Sequence, residues 1–96
     1  MLRIGAACGS GLGSSFMVEM NIKKIVKDLG YEDQVKVDHY DLGSASADQA
    51  DVWIVGRDLE RSAAHLGDVR ALNSIIDMNE LEVVIKEILE EKNISN

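Results

Sequence analysis

Residues 2–15 read LRIGAACGSGLGSS, a short apolar run that ends at a cysteine and continues into a glycine-rich segment. The run Leu2 to Ala7 predicts a buried first strand, because strands buried on both faces are almost continuously apolar. Residues 8–13 predict a turn, and Ser14 and Ser15 are residue types that cap the start of a helix. A strand followed by a glycine turn and a helix is typical of an α/β protein.

The residues after Ser15 predict a first helix with one face on the core. Apolar residues recur there at helical spacing, at Val18, Ile22, Ile25 and Leu29. Gly30 is a favoured helix terminator, because glycine adopts positive φ without steric cost. Met17 and Met20 lie on this helix near the glycine segment, where they are candidates either for docking a partner or for filling the core.

Strand and helix patterns continue to alternate along the rest of the chain. The sequence predicts further strands at 35–41, 51–56 and 68–73, a loop or short helical turn at 43–49, and a short helix at 57–66 ended by Gly67. Asn79 and Glu82 form a capping-box pattern before an amphipathic last helix. We expect one domain over residues 1–96, a Rossmann-like, three-layer α/β fold with a four-stranded parallel sheet and helices on both faces. Its working site is expected beyond the carboxyl ends of the strands.

Composition excludes several classes of function. The formal net charge of −7 argues against nucleic acid or an anionic membrane surface as a partner, because both require a basic face. No apolar run approaches the roughly 18 residues of a membrane helix, and no signal-peptide pattern precedes Cys8. The single cysteine excludes an internal disulfide and suits a reducing compartment. We therefore expect a cytoplasmic monomer without direct membrane insertion.

The segment from Cys8 to Ser15 carries the strongest functional signal. Three glycines in five positions allow successive backbone N–H groups to turn inward as an anion cradle, and the helix start adds partial positive charge. Ser10, Ser14 and Ser15 offer hydroxyl groups to the same anion. This field also favours a thiolate, so Cys8 is predicted to be a nucleophile able to attack phosphorus. The simpler interpretation is an inert cysteine at a buried strand end.

Three other phosphate motifs can be tested by spacing. A Walker loop requires lysine and then Ser or Thr after its last glycine, but Ser14 follows Gly13. A dinucleotide fingerprint requires Gly or Ala at its third place, which Ser14 occupies, so that match is partial. A cysteine phosphatase loop has arginine six positions after the cysteine, and this position is again Ser14. The leading interpretation is a loop that relays phosphate, and a small nucleotide- or phosphate-binding domain or a cysteine-phosphatase-like domain is the alternative.

Residues 2–15, with Cys-Gly-x-Gly-x-Gly-Ser-Ser after an apolar strand, resemble the IIB subunits of the bacterial sugar phosphotransferase system (PTS), and most closely those of the ascorbate branch within the ascorbate and galactitol group. The resemblance implies a phosphotransferase in which a IIA phosphohistidine phosphorylates Cys8. The phosphocysteine then passes its phosphoryl group to sugar, here L-ascorbate, bound by the membrane IIC subunit. It further implies a phosphate cradle, mainly of backbone N–H groups, formed by Gly9, Ser10, Gly11, Leu12, Gly13, Ser14 and Ser15. Because Ser10 and Leu12 occupy variable positions of the motif, the resemblance leaves open whether the substrate is a sugar other than ascorbate.

Other polar residues have two interpretations. Arg57, Asp58 and Arg61 follow the third predicted strand, where they either assist phosphate or partner binding or form a solvated helix start. His39 and His65 lack neighbours at metal-ligand spacing, so neither a metal nor a cofactor is predicted.

Overall fold

The computed structural model describes residues 2–8, 12–74 and 77–92. These residues form four strands, two α-helices and three short 3-10 helices. The strands are β1 (Leu2–Cys8), β2 (Val35–Asp41), β3 (Val52–Gly56) and β4 (Val69–Leu72), and the α-helices are α1 (Leu12–Asp28) and α2 (Met78–Glu91). The strands pair in parallel in the order β2-β1-β3-β4. The predicted four-stranded parallel sheet and α/β class are confirmed.

Helices cover both faces of the sheet, with the two α-helices on one face and the 3-10 helices on the other. The connection from β1 to β2 runs in one direction across the sheet, whereas the connections from β2 to β3 and from β3 to β4 run in the opposite direction. Crossovers of a single hand must then lie on opposite faces. The larger core cluster joins the sheet to α1 and α2, and the smaller one contains Ala7, Leu42, Ala45, Ala50, Trp53, Val55, Ala63 and Leu66.

The helix α1 begins earlier than the sequence pattern predicts. Its first residue is Leu12, so Ser14 and Ser15 lie inside the helix and do not cap it. Helical backbone at Gly13 costs about 1 kcal/mol relative to alanine, an amount that the packing of the helix on the sheet can offset. At the other end, Gly30 has a φ of 85°, which confirms its role as terminator.

Two further predictions are wrong downstream of β3. Residues 57–66 form separate 3-10 helices, Arg57–Leu59 and Ala64–Leu66, in place of one helix. Isolated short helices are marginal, and short connections often wind as 3-10 turns. The cap of α2 is not the Asn79–Glu82 pair but Asp77, which accepts hydrogen bonds from the N–H groups of the second and third helical residues.

Trp53 belongs to the smaller core, and its apolar neighbours Val52 and Ile54 in the sequence favour such a packing role. It is fully buried, and its ring centroid lies 5.0 Å from that of Tyr40. Gly5 is its register partner on β1. A Cβ atom at Gly5 would lie 2.8 Å from the indole carbons Cε3 and Cζ3, so the glycine makes room for the ring.

Candidate active site

The carboxyl ends of the strands form one edge of the sheet, and Cys8 is the last residue of β1 at that edge. Strand β1 is central, and Cys8 lies in register with Asp41, the last residue of β2. The chain leaves β1 toward β2 on one side, and later enters β3 on the other. The gap between β1 and β3 is therefore the switch point at which ligands of open α/β sheets bind.

The N-terminus of α1 lies at this same edge. Only three residues separate the end of β1 from Leu12, the first residue of α1. Leu12, Gly13, Ser14 and Ser15 form the first turn of the helix, whose backbone N–H groups have no partner within the helix. This turn contains no acidic residue that would compete for the N-terminal partial charge.

The predicted phosphate cradle is described only in part. Its members Gly9, Ser10 and Gly11 lie outside the described residues. The remaining predicted members belong to the first turn of α1, where a helix can offer N–H groups to an anion. Phosphate binding by these residues stays a prediction.

Arginine and aspartate follow β3 at the same edge, as predicted. Arg57 begins the 3-10 helix directly after Gly56, the last residue of β3. Arg57 and Arg61 are both exposed, and within the described part of the chain neither forms an ion pair. Their cationic groups are therefore accessible to an anion or a partner.

A contact between α1 and β2 was missed by the sequence analysis. His39 Nδ1 lies 2.8 Å from Glu19 Oε1, and the Glu19 residue is buried. Lys23 Nζ contacts the other carboxylate oxygen of Glu19 at 3.2 Å. Because twenty residues separate His39 from Glu19, no local spacing indicates the pair. Its only sequence signal is the alternation of β2, which places His39 on the same face as Val35 and Val37, toward α1.

His39 also supports an exposed aromatic ring. The rings of Phe16 and His39 meet edge to face, with centroids 5.4 Å apart. Phe16 lies four residues after the start of α1, close to the edge that contains Cys8. The Glu19–His39 contact therefore fixes the N-terminal half of α1, and Phe16 upon it, against β2.

A shallow groove lies elsewhere on the molecule. Its volume is about 410 Å³, and its lining includes three lysines of α1 together with Val35 and Val37 from the beginning of β2. It therefore lies toward the amino end of the sheet, away from Cys8.

Neither α1 nor α2, the two α-helices of the described residues, has the length and apolar character that a membrane-spanning helix requires.

Comparison with known proteins assigns the chain to a family. The family model described as "PTS system, Lactose/Cellobiose specific IIB subunit" matches residues 3–87. The chain belongs to the PTS IIB family. This confirms the resemblance that residues 2–15 indicate. Members of this family relay phosphoryl groups in sugar uptake and work with IIA and IIC partners.

Individual relatives of this PTS IIB chain carry different sugar names. The ascorbate-specific PTS system EIIB component of Mycoplasma pneumoniae is 26% identical over 92 residues, which span 92% of this chain and 95% of the relative. The solved lactose-specific IIB component of Streptococcus pneumoniae superposes with a TM-score of 0.63 at 17% identity. That match covers 93% of this chain and 95% of the solved one, and it shows the shared fold.

Proposed function

We propose that this IIB protein carries the phosphoryl group as a phosphocysteine on Cys8. In the donor step, the Cys8 thiolate attacks the phosphorus of a IIA phosphohistidine. The S–P bond forms as the N–P bond breaks, and the imidazole leaves with the electron pair of that bond. In the acceptor step, a sugar hydroxyl oxygen attacks the phosphorus and forms the O–P bond while the S–P bond breaks. The electron pair of the S–P bond regenerates the Cys8 thiolate, and the hydroxyl proton passes to solvent water.

The observation that carries this proposal is the position of Cys8. It is the only cysteine of the chain and ends β1, one of the two inner strands, at the edge where α1 begins. Phosphoryl transfer depends mainly on positioning and charge stabilisation, which helix-terminal N–H groups supply. The proposed cradle consists of Gly9, Ser10, Gly11, Leu12, Gly13, Ser14 and Ser15, mainly through their backbone N–H groups.

L-ascorbate is the proposed sugar. The support is the relative from Mycoplasma pneumoniae, which bears this specificity in its name and aligns over nearly the whole of both chains. The solved lactose-type structure has lower identity and supports the fold alone. Membranes that contain the cognate IIC subunit, supplied with the phosphorylated protein, are expected to form ascorbate phosphate and no lactose or cellobiose phosphate. Phosphorylation of lactose or cellobiose would replace this sugar assignment and leave the carrier role intact.

The carrier role is tested by intact mass. The protein is incubated with phosphoenolpyruvate, the general phosphotransfer proteins and its cognate IIA protein. We expect the mass of one added phosphoryl group, with the acid and base lability of a thiophosphate. Cys8→Ser is expected to abolish this adduct.

A relocated thiol provides the matched control. Ser44 lies in the exposed turn after β2, so the double variant Cys8→Ser, Ser44→Cys has a single thiol, at an exposed position at the same end of the sheet. This variant is expected to alkylate more slowly than the wild type and to gain no phosphoryl group. An unphosphorylated wild type whose Cys8 alkylates no faster than the relocated thiol would contradict the proposal and favour the nucleotide-binding alternative.

A further inference from the structure

The exposed face of α1 is divided into an apolar half and a basic half. The apolar half consists of Phe16, Met17 and Met20, which are 48%, 37% and 56% exposed. The basic half consists of Lys23, Lys24 and Lys27, all exposed. At 3.6 residues per turn these six side chains lie within an arc of about 120° around the helix. We call this arc the α1 face.

The charge of the α1 face is opposite to that of the whole chain. The chain has a net charge of −7 and only ten lysines and arginines, yet three of them lie here. The buried Glu19 lies next to one border of the face, and the exposed Asp28 lies next to the other. Lys23 pairs with Glu19, whereas Lys24 and Lys27 form no ion pair with any residue that the structure describes. Two accessible cationic groups therefore remain.

The apolar half lies at the end of α1 nearest the candidate active site, and its Phe16 ring is held in position. At a rise of 1.5 Å per residue, Phe16 lies about 6 Å from Leu12 along the helix axis, and Lys27 lies about 16 Å farther along that axis. The Phe16 ring packs on His39, which the buried Glu19 holds at 2.8 Å. An exposed aromatic group that is already ordered loses little conformational entropy when a partner covers it.

We propose that the α1 face is the docking surface for the phosphoryl donor, and that the donor presents an apolar patch beside its phosphohistidine and an acidic patch about 10 to 16 Å away. This proposal rests on the carrier role of Cys8. The apolar half covers the approach to the candidate site and supplies contact area. The lysines select a donor of negative surface charge and accelerate its encounter.

Charge complementarity distinguishes the donor from the acceptor. Cytoplasmic loops of membrane proteins carry an excess of Lys and Arg, so the cytoplasmic surface of a IIC subunit would repel the basic half of the α1 face. The acidic remainder of the chain suits that surface instead. An anionic lipid surface would attract the three lysines but repel the seventeen Asp and Glu residues of the chain.

The test measures kcat/KM for phosphoryl transfer from the phosphorylated cognate IIA protein at low and high salt. The double variant Lys24→Glu, Lys27→Glu is expected to lower kcat/KM about tenfold at low salt and to weaken its salt dependence. Met20→Ser is expected to lower it about fivefold, through loss of apolar burial. Matched controls lie on α2: Val83→Ser replaces a side chain that is 55% exposed, and Lys86→Glu reverses one exposed charge. Both controls are expected to match the wild type.

Each alternative outcome identifies which proposal fails. Absence of phosphorylation in the wild type would reject the carrier role itself. Normal phosphorylation with equal rates in face variants and controls would reject the docking proposal alone. A defect confined to transfer onto IIC-bound sugar would assign the face to the acceptor, and lysine-dependent binding to phosphatidylglycerol vesicles with unchanged donor kinetics would assign it to lipid. Both results would overturn the proposed donor surface.

Discussion

Gly5 lies against the indole ring of Trp53, and its lack of a side chain leaves room for that ring in the core. Its register partner Trp53 is fully buried, and a Cβ atom at Gly5 would also approach the Ala50 Cβ to 3.2 Å. The indole is rigid and is enclosed by neighbours, so it cannot move aside without displacing the core. The sequence identifies Trp53 as a packing residue, but nothing in the local pattern indicates which glycine its ring lies against.

Gly5→Ala is expected to destabilise the protein by about 1 to 3 kcal/mol, because overpacking forces side chains and backbone away from their preferred positions. The measurement is the free energy of unfolding from urea titration. Gly43→Ala is the matched control, since its Cβ would meet the nearest atom, Asp41 Oδ1, at 3.7 Å. We expect the control to change stability by less than about 0.5 kcal/mol. Equal effects of the two substitutions would contradict this account of the core.

The start of α2 shows how one carboxylate organises an element. Asp77 Oδ1 accepts hydrogen bonds from the N–H groups of Asn79 at 2.9 Å and Glu80 at 3.2 Å. Glu80 in turn accepts from the N–H groups of Asn73 and Ser74, which ties the end of β4 to the helix and lowers the pKa of the Glu80 carboxyl. Both carboxylates also suit the partial positive charge of the helix start.

Asp77→Ala is expected to cost about 0.5 to 2 kcal/mol of stability, because two helix-start N–H groups lose their acceptor. Thermal unfolding followed by circular dichroism measures this loss. Asn79→Ala removes the residue that the sequence pattern nominates as the cap, and it is expected to have a much smaller effect. A larger loss for Asn79→Ala than for Asp77→Ala would restore the sequence-based assignment of the cap.

Two ion-pair clusters connect elements that are distant along the chain. At the amino end of the sheet, Asp51 accepts hydrogen bonds from the backbone and side chain of Arg3 at 2.8 and 3.2 Å, and the side-chain bond is the largest cause of a lowered Asp51 pKa. Near the C-terminal end of α2, Asp68 binds Arg70 and Lys92, and the Arg70 hydrogen bond chiefly lowers the Asp68 pKa. The Arg3–Asp51 cluster is exposed and the Asp68 cluster is partly buried, so solvent screens the contribution of the first more strongly than that of the second.

Stability is expected to fall with acidification because these carboxyl groups have lower pKa values in the folded state than in the unfolded state. In the unfolded chain these Asp carboxyl groups have a pKa of 3.8, so the unfolded chain binds more protons than the folded chain as the pH falls. The stabilisation is therefore present above about pH 5 and is lost progressively as the pH falls through the lowered folded values. Free energies of unfolding from urea titrations between neutral and acidic pH measure this dependence.

Asp51→Asn separates the contribution of one cluster from the general effect of acid. The variant is expected to be less stable than the wild type at neutral pH and to lose less stability on acidification. Asp33→Asn, at an exposed position after α1, serves as control and is expected to follow the wild-type curve. A wild-type pH dependence in Asp51→Asn would show that the Arg3–Asp51 contact does not contribute.

The sequence by itself determined the order of the four strands and two α-helices along the chain, the apolar face of α1, the termination of that helix by Gly30 and the family resemblance of residues 2–15. These features depend on neighbours within a few residues, where periodicity and glycine conformation control the backbone. Only the tertiary structure decided the start of α1 at Leu12, the cap at Asp77 and the 3-10 winding of residues 57–66. The Glu19–His39 contact and the exposure of Met17 and Met20 also required it. The contact and the two exposures depend on packing between distant segments, because burial is decided by what the rest of the chain covers. The Asp77 cap is local, but aspartate and asparagine are both favoured capping residues, so the sequence pattern does not choose between Asp77 and Asn79.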